Sequence, residues 1–187
     1  MNITAPLKVT KAEFYEFVQA QGEGRFEWER GRIVQQMTGG TFDHTQIAQR
    51  MRDCMVSQLD PGLWAISLHE RGVETTETIR YPDVVVEALP VDGKSLATLR
   101  PILVVEVLSK TSEKRDLSTK PHEYTGIPAL VAYIVASQDG PECWVWVRGG
   151  DGAFHETAAH VMGRDEVIEV AGLGVSFPLA QIYKGIG

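Results

Sequence analysis

The sequence predicts an α/β fold of the α+β kind, a mixed β-sheet core flanked by helices. Three observations carry this reading. Short runs dense in valine and isoleucine, such as "YPDVVVEA" and "PILVVEVLS", have the length and composition of buried strands. Two segments instead repeat apolar residues at helical spacing, near residues 10–22 and 41–59. The C-terminal half alternates strand-like runs with glycine-rich turns.

Along the chain, "TKAEFYEFVQAQG" predicts a short helix. Thr10 is placed to cap it, Glu13 has capping-box spacing, and Gly22 lies just past its end. Phe14, Phe17 and Val18 form its apolar face. "RFEWERGRIVQQM" then reads as a hairpin turning at Arg30-Gly31, with Phe26 and Trp28 alternating against Arg25, Glu27 and Glu29. "TFDHTQIAQRMRDCMVSQLDPG" predicts an amphipathic helix: Asp43 and Gln46 have capping-box spacing, Ile47, Met51, Met55 and Leu59 recur every four residues, and Pro61-Gly62 ends it.

Beyond that helix, "LWAISLHERGVETTETI" predicts two strands. "YPDVVVEA" and "PILVVEVLS" predict two more, separated by a polar loop over residues 88–100. "LSTKPHEYTG" reads as a short helix closed by Gly126; Pro121 is tolerable there if the helix begins near Ser118 or Thr119. "PALVAYIVAS" and "ECWVWVR" are successive strands, "RGGDG" is a turn, and "DEVIEVAGLGVSFPLAQIY" adds a strand and one helical turn. The central sheet thus carries an extra N-terminal hairpin and a C-terminal β-meander. No linker divides the chain, and 187 residues suit a single domain spanning 1–187.

Bulk properties narrow the function. No apolar run approaches the ~20 residues needed to cross a bilayer, and the N-terminus lacks the pattern of a signal peptide. Cys54 and Cys143 form neither a disulfide framework nor a zinc-knuckle spacing, so a cytoplasmic location is expected. A net charge of −7 weighs against coating nucleic acid by charge alone, yet permits a local basic site.

One residue breaks the pattern. If residues 102–108 form a strand, Ile102, Val104, Glu106 and Leu108 share one face, and Leu103, Val105 and Val107 the other. Both faces are apolar, so the strand is central and Glu106 is buried. A buried carboxylate costs several kcal/mol unless a metal, a cation or a raised pKa relieves it. Pro82 marks a strand start and sets Asp83 at the mouth of the sheet. Two such carboxylates, with waters and a substrate phosphate, are what Mg²⁺ prefers. Lys114, Arg115, Asp116 and Lys120 follow the strand of Glu106. A cation there serves to hold water or to neutralise charge on phosphorus, although a charged run also suits a solvated helix face.

Phe26-Glu27, Gly31, His44, Pro82-Asp83, the run Val104 to Ser109, Asp116, Lys120, Tyr124 and Gly126-Ile127-Pro128 together resemble the Uma-type restriction endonuclease family of the PD-(D/E)XK nuclease superfamily. The similarity spans residues 10–185. It implies a restriction-endonuclease-like core. Asp83 and Glu106 would be metal ligands for Mg²⁺ or Mn²⁺, joined by the Val107 carbonyl, and Lys120 and Glu27 would complete the catalytic set. His44, Lys110 and Tyr124 would meet substrate. The superfamily's lysine normally lies two residues after the second acid, where this chain has Leu108, and Lys120 matches a lysine moved to the following helix. His44 also suits a local helix cap, and Glu27 an exposed hairpin charge.

The expected activity is metal-dependent hydrolysis of DNA phosphodiester bonds by a homodimer. The alternative is a catalytically silent nucleic-acid-binding or assembly module that keeps the nuclease fold, which Leu108 and the acidic net charge favour. An acyl or glycosyl hydrolase using Glu106 and His44 lacks support, because no G-x-S-x-G nucleophile elbow occurs.

Overall fold

A computed structural model describes residues 8–21, 24–36, 39–109, 113 and 115–187. Helix α1 (Lys11–Ala20) starts as the spacing predicts. Thr10 accepts the Glu13 N–H, and the Glu13 carboxylate accepts the Thr10 N–H, so two donors that a helix start leaves open are satisfied. Phe14 is the buried part of its apolar face and packs with Trp28 and Ile79. Gly22 lies outside the described residues. Strands β1 (Arg25–Glu29) and β2 (Arg32–Gln36) pair in register from Arg25↔Gln36 to Glu29↔Arg32. Arg30 and Gly31 take positive φ, 49° and 91°, in the two-residue turn whose twist matches its strands.

Helix α2 (Phe42–Gln58) buries Ile47, Ala48, Met51 and Met55, the stripe that the four-residue spacing predicts. Its N-cap is Thr41 rather than Asp43: the Thr41 hydroxyl accepts the His44 N–H at 3.1 Å. Asp43 instead sits in the first turn, where its charge favours the positive end of the helix. Strand β3 (Trp64–Leu68) follows, then β4 (Gly72–Glu74), β5 (Thr78–Arg80), β6 (Val84–Ala88), β7 (Ala97–Thr98) and β8 (Pro101–Val107). The sequence predicts two strands before β6 where there are three, and a plain loop where β7 lies. Strands of two or three residues are too short to show an alternation.

The hairpin is not an appendage to the main sheet. It belongs to a separate five-stranded sheet, ordered β2-β1-β5-β4-β7. The main sheet has six strands and uses β9 (Ala132–Ala136), β10 (Glu142–Val147) and β11 (Ala159–Met162) in the order β11-β10-β9-β8-β6-β3. Strand β8 lies in its interior, antiparallel to β6 and parallel to β9. Leu103, Val105 and Val107 pack on one side with α2, the hairpin β12 (Val167–Val170) and β13 (Val175–Pro178), and the turn α4 (Leu179–Ile182). Val104 and Leu108 pack on the other side with Tyr124, Tyr133 and Trp146. The single C-terminal strand of the sequence reading is this β12–β13 hairpin, whose reversal ends at Gly174 with φ 64°.

Between β8 and β9 a π-helical turn, Arg115–Thr119, runs into helix α3 (Lys120–Thr125). Pro121 therefore falls in the first turn of α3, where its missing N–H leaves no bond unmade. Among the described residues, no helix is long and apolar enough to cross a membrane.

Candidate active site

The register of β6 on β8 matches Val84 with Val105 and Val85 with Val104. One residue further along the same register, Asp83 stands opposite Glu106. Side-chain alternation puts Asp83 on the face of Val85 and Glu106 on the face of Val104, which is one and the same side of the sheet. Two carboxyls thus converge at the end of a strand pair although 23 positions separate them in the chain.

Glu106 is 6% exposed and Lys120 4%. The Lys120 Nζ lies 2.5 Å from Glu106 Oε1 and 2.9 Å from Asp116 Oδ1. Tyr124 donates its hydroxyl to the same Glu106 oxygen at 3.3 Å, and Tyr133 donates to the Asp116 backbone carbonyl at 3.0 Å. Asp116 Oδ1 is buried and carries no aligned hydrogen bond, so its interaction with Lys120 is one of charge. The Asp83 carboxyl accepts the Val107 N–H at 2.7 Å through Oδ2. Its Oδ1 meets two imidazole nitrogens, His44 Nε2 and His69 Nδ1, each at 3.1 Å. An ionised carboxylate only accepts, so both of those nitrogens carry hydrogen.

Burial pushes the Glu106 carboxyl upward. The Lys120 ammonium opposes this, and Asp116 and Asp83 add to the rise, leaving the group at about 8. Burial also works against the Lys120 charge, but Glu106, Asp116 and Glu27 outweigh it and hold the ammonium above its ordinary value. For Asp83, hydrogen bonds from His44, His69 and Val107 overcome burial and keep the carboxyl well below the usual range. Setting the imidazoles aside, three carboxyls face one ammonium.

These groups open onto a cleft of about 840 Å³, also lined by Arg25, Phe26, Glu27, Gln36, Tyr81 and Arg115. Its outer wall comes from the five-stranded sheet. Glu27 is not an exposed hairpin charge: its Oε2 accepts Arg80 Nη1 at 2.9 Å and Gln36 Nε2 at 3.0 Å. Arg80 is 0% exposed and its other edge grips both carboxylate oxygens of Glu123, at 2.8 and 3.0 Å. One guanidinium thereby ties the hairpin to the helix that carries Lys120.

Of the residues singled out from the sequence, Asp83, Glu106, Lys120, Glu27, His44 and Val107 all line this cleft. His44 does not cap its own helix with its side chain, since Thr41 does that. Tyr124, expected to meet substrate, is 0% exposed and lies behind Glu106, because α3 turns its ring into the core. Lys110 and Lys114 lie outside the described residues. Sequence reasoning missed His69, Arg80 and Gln36, and left Asp116 without a role beside Lys120. Only the four-residue spacing of Asp116 and Lys120 was visible as a signal. His69 and Arg80 sit in a turn and a three-residue strand, where no periodicity marks them.

The chain is similar to two cyanobacterial proteins of Synechocystis sp. The protein slr1290 is 30% identical over 182 residues, covering 96% of this chain and 93% of that one. The protein sll1609 is 24% identical over 143 residues, covering 74% and 80%. In three dimensions the fold resembles a crystal structure from Anabaena variabilis described as a putative nuclease belonging to DUF820. It has a TM-score of 0.69 at 13% identity, with 91% of this chain and 96% of that chain covered. The sequence profile of the Uma2 family, "Putative restriction endonuclease", matches residues 12–180, and with most of both sheets inside that span the chain belongs to the Uma2 family.

Proposed function

We propose that the chain is a metal-dependent phosphodiesterase that cuts DNA. The observation that carries this reading is the charge imbalance at the cleft's inner end. Three carboxyls surround one ammonium, and Glu106 is pushed up to about 8. Such a site is short of positive charge. The donor set suits Mg²⁺ or Mn²⁺: Asp83 and Glu106 offer hard oxygens, and the Val107 carbonyl lies beside them. Among the described residues no group of three or more acidic, histidine or cysteine side chains is arranged as a metal cage. Mg²⁺ does not need one, since it binds through one or two carboxylates, waters and substrate phosphate. When bound, the cation supplies Lewis acidity toward a phosphoryl oxygen and lowers the pKa of water.

The chain's own groups do the rest. Lys120, held between Glu106 and Asp116, keeps a fixed ammonium where charge develops on phosphorus. Tyr124 steadies Glu106 from behind. The Arg80 clamp keeps α3 at the cleft wall. A twofold dimer would offer two such clefts to two strands, and light scattering coupled to size exclusion tests it.

The deciding experiment is a nuclease assay on single- and double-stranded DNA with EDTA, Mg²⁺ or Mn²⁺, run beside Glu106→Gln. Cleavage that needs the metal and disappears in the variant is the expected result; full cleavage by the variant refutes the assignment. A silent nucleic-acid-binding module is favoured by one observation. Both Asp83 oxygens are already engaged, so a cation at Oδ1 has to take the place of an imidazole. A melting temperature unmoved by Mn²⁺ would support that reading, because a ligand of the folded state alone must raise it.

A further inference from the structure

Among the described residues, two that are not glycine take positive φ: Arg30, in the exposed β1–β2 turn, and His69, with φ 53°. Arg30 has an ordinary explanation in its hairpin. His69 has none from chain reversal alone, because glycine or asparagine fills such a position with less strain. Strain of this kind persists where surrounding contacts impose it, and it concentrates at functional sites. Here the contacts come from three directions. The His69 N–H donates to the Asp83 carbonyl at 3.0 Å, the His69 carbonyl accepts Arg25 Nη2 at 3.2 Å, and Nδ1 meets Asp83 Oδ1 at 3.1 Å. Backbone and ring are both fixed to the residue pair that opens β6.

The ring is not merely a prop for Asp83. That carboxyl already has Val107 N–H and His44, and either imidazole alone would complete its bonding. The His69 side chain remains 32% accessible, against 15% for His44, and it lines the cleft. Tethering at Nδ1 leaves Nε2, the ring's second polar atom, without a hydrogen bond to any described residue. The two rings lie with centroids 6.5 Å apart and 24° between planes, so both are held in one orientation at the mouth.

We infer that His69 is a substrate-contacting residue, presenting Nε2 to a phosphate oxygen of a nucleic-acid strand in the cleft. This rests on the phosphodiesterase reading and adds to it a residue that holds the strand. Its chemistry is a single directed donor, oriented by the carboxylate behind it.

The test separates holding Asp83 from touching substrate. In His69→Asn the amide nitrogen stands near the place of Nδ1, and asparagine tolerates positive φ, so the tie to Asp83 and the fold persist. The outer donor is gone. Fluorescence anisotropy with labelled single-stranded and duplex DNA oligonucleotides, in EDTA so that nothing is cut, reads binding directly. The expected result is a melting temperature like the wild type's with about tenfold weaker binding, the loss of one directed contact. His69→Gly, free of backbone strain, should bind as weakly and serves if the asparagine variant folds poorly. In turnover the loss should fall on KM more than on kcat. Asn binding within twofold of wild type would overturn the inference and leave the phosphodiesterase reading standing. Wild-type protein that binds neither DNA would sink both.

Discussion

Lys120 and Glu106 form one ion pair, yet replacing either should affect stability very differently. Lys120→Met removes the ammonium from between two buried acids, Glu106 at 2.5 Å and Asp116 at 2.9 Å. Breaking a buried pair by deleting one partner costs about 3–5 kcal/mol, because the charge left behind has no compensation. For a chain of this size that corresponds to a fall of about 6–20 °C in melting temperature. Glu106→Gln leaves an amide oxygen for Lys120 and Tyr124, and Asp116 still balances the ammonium. It also removes a carboxyl that burial has already pushed up to about 8. The loss of charge assistance is offset by that relief, so the cost should stay below about 1.5 kcal/mol. Urea unfolding followed by circular dichroism at pH 7 compares the two directly. Equal destabilisation, or a Lys120→Met protein within about 1 kcal/mol of wild type, would show that the ammonium is not the compensating charge. Both variants should lose cleavage by about a hundredfold or more, since each removes charge stabilisation at phosphorus.

The Glu106 carboxyl also gives a pH signature. Its folded value lies above its unfolded one, so the protein gains stability from protonated Glu106 below about pH 4.5 and loses that gain as pH rises through about 8. Metal-free wild type should therefore weaken over this window relative to Glu106→Gln, and parallel pH profiles of the two proteins would count against the burial argument. Mn²⁺ competes with that proton, so the rise in melting temperature with Mn²⁺ should be larger at pH 8.5 than at pH 6, and absent in Glu106→Gln. Arg80→Met strands Glu27 and Glu123 together and should cost about 3–5 kcal/mol, most of it recovered when both acids are also made glutamine; no recovery in the triple variant would mean that the arginine acts by packing alone. Tyr124→Phe removes one long hydrogen bond and should cost about 0.5–1.5 kcal/mol, with cleavage surviving; abolished cleavage would return Tyr124 to direct contact with substrate.

Much of this protein is written in local pattern. The four-residue spacing of Ile47, Met51 and Met55 specifies the helix that covers one side of the sheet, and the doubly apolar run of β8 specifies its interior place. Glu106 is legible for the same reason, since a carboxylate inside an apolar strand violates the rule that made the strand recognisable. Asp83, after its proline, and Lys120, in the family's spacing, are legible too. Tertiary structure alone decided which charges meet. Arg80 reaches Glu27 across 53 positions and Glu123 across 43, and no local period connects them. His69 reaches Asp83 because a turn bends back on the strand that follows it, and Tyr124 faces inward because α3 lies against the sheet. Periodicity reports how a residue sits relative to its own element. Hydrogen bonds and ion pairs depend on where separate elements end, and that is settled only when the sheets pack.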